Sequence, residues 1–169
     1  MTVLLIISIL LVASFTGAAI WRERELTESV SAMVNIFTGA WRWLWSLWLL
    51  AVAVCTFAPV IEVLDSRGLA MFGFLPMGLL FFVAALPIFD TEHKDVHDVL
   101  GIVAGVLSQA AVAFMCPWWL FSWSLFVFLM GSVYVQPEGR LAKAVKGKGT
   151  FVAEMVCWIA TVGAAMAGL

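Results

Sequence analysis

Charge is what this sequence has least of. Lysine, arginine, aspartate and glutamate make up 12% of its 169 residues, about half of the roughly 25% usual in soluble domains. The net charge is only −2, and no basic stretch is interleaved with aromatics, which sets nucleic-acid binding aside. Cysteine is scarce and scattered: Cys55, Cys116 and Cys157 are odd in number, and no CxxC occurs. They read as small residues of apolar segments, without a redox or metal role. No G-x-S-x-G, Walker A, GxGxxG or kinase-type motif is present. The serines at membrane depth (Ser8, Ser14, Ser46, Ser108, Ser122, Ser124 and Ser132) have no base beside them in the sequence. No internal repeat suggests an inverted-repeat transporter.

What is abundant is apolar sequence. The chain is 64% hydrophobic with a mean hydropathy of +1.07. No soluble fold of this length could hide so much apolar surface, so lipid is the solvent for most of it. Six apolar segments stand out, at about 3–21, 43–64, 69–89, 99–116, 118–135 and 150–169. Each approaches the roughly 20 residues that cross a bilayer as a helix. None alternates polar and apolar residues as a barrel strand would. The expected fold is all-α: one transmembrane domain over residues 1–169, a bundle of six transmembrane helices with a short interfacial helix after the first.

The first segment lacks a basic region before its apolar core, and Arg22, Glu23, Arg24 and Glu25 follow it, so it reads as a retained helix and not a secretory signal. Orientation follows from the basic residues. Loops 1, 3 and 5 hold eight of the nine (Arg22, Arg24, Arg42, Lys94, Arg140, Lys143, Lys146 and Lys148), and Arg67 is the ninth. The positive-inside rule then places these loops in the cytoplasm and both termini outside it, for a multi-pass protein of the bacterial inner membrane. In loop 1, LTESVSAMVNIF spaces Leu26, Val30, Val34 and Phe37 as one helix face, with Thr27 or Ser29 available as a cap. That pattern predicts a helix lying on the membrane surface. Loop 5, QPEGRLAKAVKGKG, reads as a mobile basic loop touching anionic headgroups.

The ionisable chemistry concentrates in FDTEHKDVHDVL, residues 89–100, which holds both histidines. His93 and His97 are four apart and share a face if helical. With Asp98, or with Asp90 or Glu92, they could hold a divalent metal. The order is not the HExxH of zinc proteases. The plainer reading is a polar loop whose Asp95 and Asp98 favour a helix N-terminus. Below it, His97, Gly101, Gly105, Ser108 and Val112 run down one stripe. Gly101 and Gly105 form a GxxxG that lets another helix approach, and Gln109 must face protein or water. Glu154, one turn into the last helix, and Arg42, at the start of the second, are further ionisable candidates, and Glu62 lies near an interface. A His97–Glu154 pair, with Arg42, is one expected cluster. Trp41, Trp45 and Trp48, and Trp118, Trp119 and Trp123, read as two interfacial belts. Pro59, Pro76 and Pro87 are expected to kink the second and third helices.

The stretches AALPIF, VHDVLGIVAGVLSQ and ESVSAMV resemble those of small six-helix membrane proteins of gut Bacteroidota and their phages. The last corresponds to an ISxS-like segment after the first helix of that group. More distantly the chain is similar to the DRAM-like six-helix membrane group, which also places a histidine at a helix start. The resemblance implies a six-helix bundle and a role for His97, Ser108 and Gln109, and it brings no assigned activity. The reading it joins is a non-enzymatic membrane protein. That protein binds a lipid or small amphipathic ligand in a seam between helices 2, 3, 4 and 6, or scaffolds a membrane partner or second copy. His97, Ser108, Gln109, Glu154 and Arg42 are the expected ligand contacts, and no cofactor is required. Alternatives are a lipid hydrolase with metal at His93, His97 and Asp98, and a proton-coupled transporter or oligomeric channel using Glu154 and His97.

Overall fold

A computed structural model describes residues 1–86 and 94–169. Among the described residues there is no strand. Backbone groups in hydrocarbon can bond only within the protein, and a helix satisfies them within the segment itself. The helices are α1 (Thr2–Glu23), α2 (Trp43–Asp65), α3 (Met71–Ala85), α4 (Lys94–Met115), α5 (Trp123–Val135), α6 (Arg140–Val145) and α7 (Gly149–Gly168). Five stretches are long and apolar enough to cross a membrane: α1, α2, α4, α7 and the continuous helical run Pro117–Val135 that contains α5. α3 is apolar but has 15 residues. Residues 87–89 of its expected span, with Pro87 and Phe89, lie outside the described residues.

Three stretches differ from expectation. α4 opens at Lys94 and not near 99, which brings His97 into the helix, with Asp95 in the first turn where negative charge suits the N-terminal dipole. Loop 1 forms two 3-10 turns, Ser31–Ile36 and Gly39–Arg42. Met33, Val34 and Ile36 of the first turn are buried in the bundle. Gly39 has φ +57° and marks the break between the turns. Loop 5 contains α6, where Ala142 and Val145 are buried, so these two residues anchor a segment whose Lys143 and Lys146 are exposed.

α2 is the hub and packs on α1, α3, α4 and α7. It continues through the buried Pro59, as α3 does through Pro76. One core cluster joins Leu5 of α1, Phe57 to Leu64 of α2, Ala111 to Met115 of α4 and Ala160 to Ala165 of α7. The second lies at the other end, where Met33 and Val34 meet Ala19, Trp45, Leu49, Val83, Ala84 and Phe151. α3 runs back along α2, and its end at Leu86 returns to the level of Trp45, as the contacts of His97 show below. α5 buries none of its residues.

Close approach occurs at glycines other than the expected pair. No described atom lies within 4 Å of where a Gly101 Cβ would sit, and Gly105 faces only the Cys157 sulfur at 3.9 Å. A Cβ at Gly73 would instead stand 2.6 Å from Ile61 Cγ1 and 3.2 Å from the Ile61 backbone. At Gly163 it would stand 2.5 Å from the Trp119 ring. Helices in lipid gain little from the hydrophobic effect, so such contacts carry much of their association. Gly73→Ala should overpack the α2–α3 contact at a cost of about 1–3 kcal/mol. It should lower the thermal midpoint in detergent, whereas Gly78→Ala, with open space around it, should not.

Candidate functional site

One polar cluster among the described residues lies where loop 1 enters the bundle. Thr27 Oγ1 donates to the Ser29 carbonyl at 2.8 Å, and the Ala32 N–H donates to Ser29 Oγ at 3.0 Å, so Ser29, one of the two expected capping residues, takes an N–H of the first turn from just before its N-cap, Val30. The Val30 N–H donates to Glu154 Oε2 of α7 at 2.6 Å. The Val30 carbonyl accepts from Trp45 Nε1 of α2 at 3.3 Å. The Phe151 N–H, an orphan donor in the first turn of α7, reaches the Glu28 carbonyl at 3.0 Å.

His97 is the other fastener. It is 2% exposed, with Nδ1 2.6 Å from the Leu86 carbonyl and Nε2 3.0 Å from Ser31 Oγ. A carbonyl only accepts, so Nδ1 carries the hydrogen. Nε2 of the neutral ring is then the acceptor, and the Ser31 hydroxyl donates to it. The Trp45 ring lies against the imidazole at a centroid distance of 6.0 Å.

The expected residues therefore divide into groups. His97 and Glu154 come to the same loop but bind its consecutive residues, Ser31 and Val30, and form no direct pair among the described residues. Arg42 is half-buried at the foot of α2, with its Nε donating to the Phe37 carbonyl at 3.3 Å. Of the metal set, Asp98 is exposed, His97 spends both nitrogens inside the protein, and His93, with Asp90 and Glu92, lies outside the described residues. No three histidine, cysteine, aspartate or glutamate side chains gather among the described residues.

Ser108 and Gln109 do meet, deeper in the bundle. Gln109 Nε2 donates to the Cys157 carbonyl at 3.2 Å, and its Oε1 accepts from Trp123 Nε1 at 2.8 Å. Ser108 Oγ donates to the Gly105 carbonyl at 2.7 Å and lies 3.1 Å from the Cys157 sulfur. This knot ties α4 to α7 and to the start of α5. A second knot escaped sequence reading: Ser8 and Thr56 hydroxyls lie 2.7 Å apart, and Trp158 Nε1 donates to Ser8 at 3.3 Å. Ser31 escaped it too, although ESVSAMV was singled out, because its partner His97 lies 66 residues away. Of the tryptophans expected in the belts, Trp45, Trp48 and Trp123 donate to partners within the protein, as Trp158 also does, whereas Trp41 and Trp118 are exposed.

Open space lies elsewhere. A groove of about 450 Å³ runs between α5 and α6, walled by Val127, Phe128, Val135 and Leu141, with Gln136 and Arg140 among its polar groups. No family model, curated protein or solved structure matches the chain.

Replacing Glu154 with Leu should leave the Val30 N–H without an acceptor, a loss of about 1–3 kcal/mol. Glu154→Gln keeps an oxygen there and should lose less. Thermal midpoint and trypsin cleavage at Arg24 and Arg42 would read both changes.

Proposed function

We propose that this chain is a six-span protein of a bacterial inner membrane that binds an anionic phospholipid in the groove between α5 and α6. The groove carries this reading. Its volume of about 450 Å³ falls within the roughly 300–1,000 Å³ typical of ligand clefts. Its walls suit an acyl chain. Arg140 is exposed and makes no ion pair among the described residues, unlike Lys143, which is paired with Glu138 at 2.9 Å. A guanidinium at the end of an apolar groove is matched to a lipid phosphate. The ligand class is the one expected from sequence, and the site moves from the α2–α3–α4–α7 seam, whose polar groups bond one another.

Six spans follow if α3 crosses. Leu86 reaches His97 and loop 1 at one end of the bundle, while α3 starts from the turn after Asp65 at the other, which supports a crossing. The interfacial position of loop 1 rests on the same placement, with Leu26 and Val30 packed at that end. In this arrangement the basic groups of loops 1, 3 and 5 share the cytoplasmic face, and both termini lie outside it. The bare apolar faces of α5 meet lipid, and a second copy of the chain could share them.

Alkaline phosphatase fused after Leu169 should be active in cells, and a fluorescent protein fused there should stay dark; the reverse pattern overturns the orientation. In nanodiscs, native mass spectrometry should show saturable retention of phosphatidylglycerol over phosphatidylcholine. One basic contact is worth about 1 kcal/mol near the headgroups, so Arg140→Ala should weaken retention about fivefold. Equal retention of both lipids by both proteins overturns the groove.

A further inference from the structure

We infer that Ser31 and His97 form a nucleophile–base pair that cleaves a carboxylic ester of an apolar acyl chain. This reading stands on residues separate from the lipid groove and does not depend on it. Ser31 Oγ lies 3.0 Å from His97 Nε2, inside the roughly 2.6–3.2 Å reach expected of a nucleophile and its base. The base is oriented in turn by a third group, the Leu86 carbonyl 2.6 Å from Nδ1. That contact sets the tautomer a general base needs: hydrogen on Nδ1, lone pair on Nε2 facing the hydroxyl. The three groups come from loop 1, α4 and the end of α3, so only the fold assembles them.

The surroundings decide the substrate class. His97 is buried beside Trp45, and Met33 and Val34, just after Ser31, belong to the same apolar cluster, with Leu100 packed on it. Ser31 itself is half-buried, at the edge of that cluster. An apolar acyl group suits such a setting, and a charged substrate would lose its hydration there.

In the reaction, Ser31 Oγ bonds to the ester carbonyl carbon as its proton passes to Nε2. The C–O bond to the alcohol breaks, and the departing alkoxide takes that proton. Water then attacks the acyl-Ser31 carbon and gives a proton to Nε2. The acid leaves, and the proton returns to Oγ. The Leu86 carbonyl keeps the ring in place throughout. Being a dipole and not a carboxylate, it stabilises the imidazolium less, so acylation is a better readout than turnover.

The test uses the full chain in nanodiscs and an alkyl fluorophosphonate, which joins Ser31 Oγ to phosphorus with loss of fluoride and of the hydroxyl proton. Peptide mass spectrometry should locate one adduct on Ser31 in the native protein, absent after heat denaturation and absent in Ser31→Ala. His97→Asn, whose amide can still donate to the Leu86 carbonyl, should react about 100-fold more slowly, with circular dichroism and thermal midpoint confirming its fold. Added imidazole should restore labelling in His97→Ala. No adduct on Ser31 in the native protein overturns the inference, and so does an undiminished rate in a folded His97→Asn. If both histidine variants fail to fold, the native adduct and its loss on denaturation decide. Gly78→Ala, with open space around it, should label normally.

Discussion

The bundle turns on one peptide segment that must leave water without leaving its hydrogen bonds. Val30 stands at the N-cap of the first 3-10 turn among apolar neighbours, where its carbonyl accepts from the Met33 N–H at 3.2 Å but its N–H has no helical partner. Its N–H is taken by Glu154 and its carbonyl by Trp45. Those two side chains come from α7 and α2, so satisfying one residue holds loop 1 to two helices. His97 adds α4 and the end of α3 through Ser31 and Leu86. An unpaired buried amide costs more than most single contacts return, which explains why a loop so apolar is seated and not loose.

The interior follows the same logic at greater depth. Two polar knots, Ser8–Thr56–Trp158 and Ser108–Gln109–Cys157–Trp123, each join three parts of the chain. Between them the helices meet through small residues, as where Gly73 lies on Ile61 and Gly163 on Trp119. Lipid competes equally well for apolar side chains, so shape and hydrogen bonds select which helices pair. α5 is the exception. It touches the bundle on its flank and bares the rest, leaving the groove against α6 open.

These features separate two kinds of polar group. Those of the α4–α7 seam are spent on one another and serve cohesion. Arg140 brings a charge to the groove without an ion pair among the described residues, and the Ser31–His97 pair, besides fastening loop 1 to α4, sets a hydroxyl against an imidazole. A binding groove and an acyl-transfer pair on one membrane protein would make chemical sense together, since both address apolar chains with a polar end.

Composition and run length by themselves determined that the chain is helical and membrane-bound, because hydrocarbon permits few other ways to satisfy a backbone. They also offered Thr27 or Ser29 as acceptors at the start of loop 1's first turn, and required Gln109 to face protein or water, since local hydrogen bonding and the cost of exposing an amide are readable residue by residue. Other features needed the fold. The GxxxG at Gly101 and Gly105 looked like the close contact, yet Gly73 and Gly163 are, because spacing shows a face but not what stands opposite it. Trp45 and Trp48 read as belt residues, and their N–H groups turned out to have acceptors inside the protein. Ser31 was not among the candidate residues, and only the tertiary structure set its hydroxyl 3.0 Å from His97 Nε2, since a hydroxyl and an imidazole so distant in the chain meet only when the helices between them have packed.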